Sequence, residues 1–130
     1  MKKILELDGT RIHDIPSFYD EVDRVFMADA GWTLGRSLDA LNDMFHGGYG
    51  ALQGSGPVTL VWTAFEKNRR DLGIEATRAF LQAKLAQPGR YDAARIQRDL
   101  DALEAGTGQT FFDIVLEIIA AHPDIGLIAR

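Results

Sequence analysis

Asp39 and Asp43 stand four residues apart in the stretch SLDALND, a spacing that sets two carboxylates on one side of a helix. Like charges so placed repel by roughly 0.2 to 0.5 kcal/mol, so the pair needs a reason. Paired carboxylates could work as a general acid and base, could present negative charge to a basic partner, or could be an ordinary solvated face. An acid/base couple also needs a cleft and a third polar group, and the sequence shows neither. With Ser37 as the helix cap, Asp39 lies in the first turn, where a carboxylate gains roughly 0.3 to 1 kcal/mol from the helix dipole. Asp43 lies past that turn and gains almost nothing, so the local account covers one aspartate and leaves the other as a solvated residue.

No other group of residues points to catalysis. The Gly-rich stretch HGGYGALQGSGP, residues 46–57, could cradle an anion with backbone amides. It follows a helix and enters a strand, the reverse of a phosphate loop, and it lacks both the Gly-Lys-Ser/Thr ending and the Gly-x-Gly-x-x-Gly spacing. It reads as a flexible connection. His13, His46 and His122 are far apart in the chain, and none belongs to a His-x-x-x-His or His-Glu pair. A metal site is not expected, and His122 reads as a partner for a helix carboxyl end. Gly54-Ser55-Gly56 fits a turn better than a nucleophile elbow. With no nucleophile, metal set or cofactor loop, the chain reads as a non-enzyme without cofactors.

Composition narrows the partner. The chain has 130 residues, 46% apolar and 25% charged, enough to bury one sizeable core. A formal net charge of -5 argues against direct binding to nucleic acid or an anionic membrane and favours a basic partner. Cysteine is absent, which fits a reducing cytoplasm. The start, MKKILELDG, has two lysines like a signal peptide, but Glu6 and Asp8 break its apolar run, and no stretch has the length of a membrane span. A soluble, unprocessed, cytoplasmic monomer is expected.

The elements that must position the aspartates follow from periodicity. Residues 3–7 read as a strand ending at Asp8-Gly9. From Pro16, residues Phe18, Val22, Val25 and Phe26 recur at helical spacing, with Asp20, Glu21 and Asp23 as an acidic outer face. Ser37 opens the aspartate helix, whose buried face is Leu38, Leu41 and Phe45 and which stops at Gly47-Gly48. VTLVW at 58–62 suits a central parallel strand covered on both faces. A polar helical segment, FEKNRRDLG, and two further helices, EATRAFLQAKLAQ and YDAARIQRDLDALEA, follow, the last two as a hairpin. Thr110 opens TFFDIVLEIIAAH with Asp113 completing a capping box, and DIGLIA closes the fold as a third strand. This is an α/β arrangement, a small three-stranded parallel sheet packed with helices that also protect its edges.

The stretch Leu34-Gly35-Arg36-Ser37-Leu38-Asp39-Ala40-Leu41-Asn42-Asp43 resembles the signature of the barstar family, in which an aromatic-Gly turn and an Asn precede Leu-Asp-Ala-Leu, followed one residue later by Asp. The surrounding order is similar too: Lys2-Lys3 with an apolar strand and a turn glycine, Ile12 through Ile15 before the first helix, VTLVW followed by Phe65-Glu66, and VLEII before DIGLI. The resemblance covers residues 2 to about 68 and about 109 to 128. It implies a single barstar-like domain over residues 1–130 with an insertion at about 69–108 that holds the helical hairpin. It also implies an intracellular immunity protein that plugs the active site of a secreted guanyl-specific ribonuclease. Such a site binds phosphate with Arg, Lys and His, so carboxylates on a rigid helix can stand in for phosphate. By the resemblance, Asp43 aligns with the aspartate that enters the phosphate site and Asp39 with its support.

Several positions depart from the family pattern. Leu34 and Thr33 replace aromatics, Ser37 replaces the Asn, and Asn42 replaces the Trp between the aspartates. Arg36 brings a positive charge to the acidic surface, and the family's accessory acidic position falls near Ala121. Trp32 and Tyr49 are close enough in sequence to supply replacement aromatic anchors. The expected partner surface is therefore Trp32, Thr33, Leu34, Gly35, Arg36, Asp39, Asn42, Asp43, His46 and Tyr49, and the target is a ribonuclease or related basic nuclease toxin, or a target of another kind. The rival reading is a structural or oligomerising domain whose hairpin forms the interface, with Ala79, Phe80 and Leu85 on one side and Ile96, Leu100 and Leu103 on the other. The same residues could instead cover the sheet within the molecule.

Overall fold

Each of the three strands has five residues, and they form one parallel sheet in the order β1 (Lys3–Leu7), β2 (Val58–Trp62), β3 (Ile125–Ala129). Parallel neighbours need long crossovers, and helices supply them: α1 (Ile15–Phe26) and α2 (Leu38–Phe45) between β1 and β2, then α3 (Phe65–Asp71), α4 (Ile74–Leu85), α5 (Ala93–Glu104) and α6 (Phe111–Ala120) before β3. This is the expected mixed α/β fold. The computed structural model describes residues 3–130, so Lys2 of the expected Lys-Lys start lies outside the described residues.

Register sets Leu60 between Leu5 and Leu127, and Trp62 between Leu7 and Ala129. These rows meet the main core, where Phe18, Val22, Phe111, Phe112 and Val115 are buried. The Trp62 ring stacks on Phe18 at 6.0 Å and meets Phe112 at 5.3 Å. Alternation sends Ile4 and Ile128 to the opposite face, and they are 68% and 41% exposed. Helices thus do not shield the flanking strands there. The hairpin closes a small core of its own: Leu81, Ile96 and Leu103 with Phe80, Leu85 and Leu100. Ala79 is exposed. The hairpin joins the body through α6, where the Phe111 amide donates to the Thr77 hydroxyl at 2.7 Å and the Phe80 and Phe111 rings meet at 5.7 Å.

Caps fix where the helices begin. The Asp14 carboxylate accepts the Ser17 amide at 2.8 Å, so α1 starts at Ile15, one residue before the expected Pro16. Thr110 and Asp113 form the expected capping box of α6. The outer face of α1 is less simple than its periodicity. Glu21 is 2% exposed. Its carboxylate accepts the Asp8 amide at 2.7 Å and two Arg24 hydrogens at 2.7 and 2.6 Å, which offsets the cost of burying a charge.

The end of the sheet is closed by Asn68, which has no exposed surface. Its carbonyl accepts the Trp62 indole N–H at 2.7 Å, and its amide donates to the Gly9 and Ile12 carbonyls at 3.1 and 3.3 Å. Gly9 has to be glycine, because a Cβ there would lie 2.0 Å from the Thr63 carbonyl oxygen. The Gly-rich connection is also packed in part: residues Gly50–Leu52 form a turn of 3-10 helix, Leu52 is buried, and a Cβ on Gly50 would lie 2.6 Å from the Phe26 carbonyl oxygen. Among the described residues no helix is long and apolar enough to cross a membrane.

Candidate functional site

The Ser37 hydroxyl accepts the Ala40 amide at 3.1 Å and opens α2. Leu41, Met44 and Phe45 are buried, while Leu38 is half-buried; Met44 belongs to the inner face that the sequence reading assigned to Leu38, Leu41 and Phe45. With that face fixed, Asp39, Asp43 and His46 point outward and are exposed. Among the described residues neither aspartate forms an ion pair. Their charge therefore faces solvent.

An aromatic pair stands next to Asp43. The Trp32 and Tyr49 rings lie 4.9 Å apart, tilted by 52°, and Trp32 is 49% exposed. The Tyr49 hydroxyl is pushed above its ordinary pKa first by burial and then by the negative charge of Asp43. Thr33 and Gly35 are exposed in the loop that carries Trp32.

Three of the expected contact residues are engaged within the molecule. Leu34 is 2% exposed, so its side chain belongs to the core and only its backbone lies along the loop. Arg36 turns back to α1, donating to Asp20 at 3.0 Å, to Asp23 at 2.6 Å and to the Leu34 carbonyl at 2.7 Å. It adds no free positive charge to the surface, because two carboxylates offset it. Asp23 in turn accepts the Leu34 amide at 2.8 Å. Nothing in the spacing of α1 marks Asp20 and Asp23 as loop ligands, since their partners lie beyond the helix.

Asn42 is the third. Its side-chain oxygen lies 2.8 Å from Nε2 of His122, whose ring packs 5.8 Å from Phe45 and 4.7 Å from His46. The helix-dipole role read for His122 gives way to this contact, because packing α6 on α2 brings together residues that are distant in sequence. His122 is buried at 8% exposure. Ala121, the position of the family's accessory acid, is exposed at the end of α6 and carries no charge. Among the described residues no group of three or more His, Asp or Glu is placed to hold a metal ion.

Burial, and then the neighbouring His46, lower the His122 pKa below the ordinary 6.5. The unfolded chain then binds more protons than the folded one as the solution is acidified. Stability should be full above about pH 6.5 and fall as the pH drops through the folded-state pKa of His122. A His122→Gln variant should show a flatter Tm profile between pH 7 and 5. A profile as steep as that of the parent would remove His122 as the cause.

The family model for Barstar (barnase inhibitor) matches residues 2–88, which include β1, α1, the loop with Trp32, both aspartates, β2, α3 and α4. The chain belongs to the barstar family. Comparisons with curated proteins and with solved structures return no match. The barstar match takes in α4, from the segment expected to be an insertion, and ends before α5, α6 and β3. The matched span includes the loop and α2, the elements that gather two aspartates, unpaired among the described residues, near two aromatic rings.

Proposed function

We propose that the chain is a non-enzymatic inhibitor that blocks the active site of a basic, barnase-type ribonuclease. The observation that carries this reading is the Asp43 carboxylate, exposed, free of an ion pair among the described residues, and beside the Trp32–Tyr49 pair. A site that binds RNA phosphate presents Arg, Lys or His, and a carboxylate held on a helix fills such a field while long-range attraction speeds encounter. Asp39 supports it from one turn earlier. Trp32 and Tyr49 supply the aromatic rim that interfaces favour, and Thr33, Gly35 and His46 border it.

On the same reading this is one domain with an insertion at about 69–108, after which α6 leads into β3, the last strand of the sheet. It acts inside the cell that makes the nuclease, a compartment that suits a chain without cysteine. The hairpin's apolar residues pack on one another, so little remains of the oligomer interface that the rival reading needs. Titration of barnase with the purified protein should abolish RNA cleavage at a 1:1 ratio, and light scattering should give a 1:1 complex of a monomeric inhibitor. Full barnase activity at a molar excess would overturn the assignment of this target, and RNA turnover by the protein alone would overturn the non-enzymatic reading.

A further inference from the structure

The loop of residues 31–35 carries Trp32 but has no regular secondary structure. Such a segment holds one conformation only where specific contacts fix it. Asp23 uses one carboxylate oxygen for the Leu34 amide at 2.8 Å and the other for the Arg36 guanidinium at 2.6 Å. The same guanidinium donates to the Leu34 carbonyl at 2.7 Å and to Asp20 at 3.0 Å, and it lies 5.8 Å from the centre of the Tyr19 ring. Both sides of the Leu34 peptide framework are thus tied to α1, and Leu34 itself is anchored in the core. An isolated surface ion pair is worth little. This one differs because the Asp23 side chain is only 14% exposed and because the bonds hold main chain as well as side chains.

We propose that Asp23 and Arg36 are positioning residues for partner recognition. Resting on the inhibitor reading above, this assigns them the task of holding the Trp32 loop against α1, so that Trp32 meets Tyr49 beside Asp43 before the nuclease arrives. Pre-organisation of this kind lowers the ordering cost at association, and a loop that samples other conformations weakens apparent affinity by the fraction of time it spends away.

The sign of one substitution separates this role from simple charge. Arg36→Ala removes a positive charge from beside an acidic face, so electrostatics alone predicts tighter binding to basic barnase. Loss of the latch predicts weaker binding, by about tenfold in Kd. Arg36→Lys keeps the charge but not the planar fork, and should fall between the parent and Arg36→Ala. A readout without partner accompanies this test. Trp62 is fully buried and Trp32 half-exposed, so acrylamide quenching of the two-tryptophan chain reports on the Trp32 loop. Arg36→Ala should raise that quenching, with Arg36→Lys restoring part of it. Tighter binding with unchanged quenching would overturn the latch and leave the inhibitor reading standing. Raised quenching in Arg36→Ala, when the parent protein itself does not bind barnase, would overturn the assignment of this target and retain the loop's attachment.

Discussion

Replacing Asp43 with alanine should weaken binding to barnase by at least roughly thirtyfold, the equivalent of about 2 kcal/mol or more, with Tm almost unchanged. That magnitude is the floor general to interface hot spots, a class that already counts an aspartate of barstar among its known examples, so it is inherited rather than calculated. The physical argument lies in the contrast between solvent and complex. Free in solution, Asp43 is exposed and unpaired, and a surface substitution of this kind changes stability by about 0.5 kcal/mol or less. In a phosphate site it would be desolvated among cations, and its removal leaves those cations buried without a partner. Asp39→Ala should act in the same direction and more weakly, since Asp39 sits in the first turn of α2, where the helix dipole already uses part of its charge. Equal inhibition by the parent and Asp43→Ala proteins, compared by titration at the same ionic strength, would remove Asp43 from the site.

Asn68→Ala should have the opposite profile, a large loss of stability with an intact recognition face. The substitution leaves the buried Trp62 indole N–H without its acceptor and empties the volume of a side chain with no exposed surface. An unsatisfied buried donor costs about 1 to 3 kcal/mol, and the void adds to it. About 3 kcal/mol in total, or roughly 10 °C in Tm for a domain of this length, is the expected loss. Asn68→Asp keeps an acceptor for Trp62 but gives up the donors to Gly9 and Ile12 and sets a second carboxylate near Asp71, which lies 3.1 Å from the present amide nitrogen. It should not rescue the alanine variant. Chemical denaturation at pH 7 measures both, and a loss under 1 kcal/mol for Asn68→Ala would refute the importance of the Asn68 hydrogen bonds.

Elements whose physics is local were legible from the sequence. Ser37 and Thr110 cap helices because their hydroxyls reach amides three residues on, and β2 is buried because five successive residues are apolar or β-branched. Asp39 and Asp43 are exposed on α2, as the helical spacing implied, and Trp32 and Tyr49, close in sequence, also meet in space. What escaped depends on contacts between distant segments. Arg36 read as a misplaced charge because Asp20 and Asp23 are a helix away. The bond of Asn42 to His122 could not be read because His122 comes from the far end of the chain. Leu34 occupies a motif position of the expected partner surface yet is buried, since an aliphatic side chain gains more from the core than from the rim. Periodicity also made Glu21 part of a solvated face, whereas Arg24 and the Asp8 amide allow its burial.

The bond between His122 and Asn42 links residues that a ribosome delivers at very different times. α1, the Trp32 loop and α2 emerge early, and β2 then gives β1 its parallel neighbour. At that stage the chain already displays Asp39 and Asp43, yet one side of β2 is unpaired and the ring that braces α2 has not been made. Native order around the aspartates is therefore expected only after residue 122 and β3 leave the exit tunnel, so a nascent chain carries both aspartates before it can hold them in their folded arrangement.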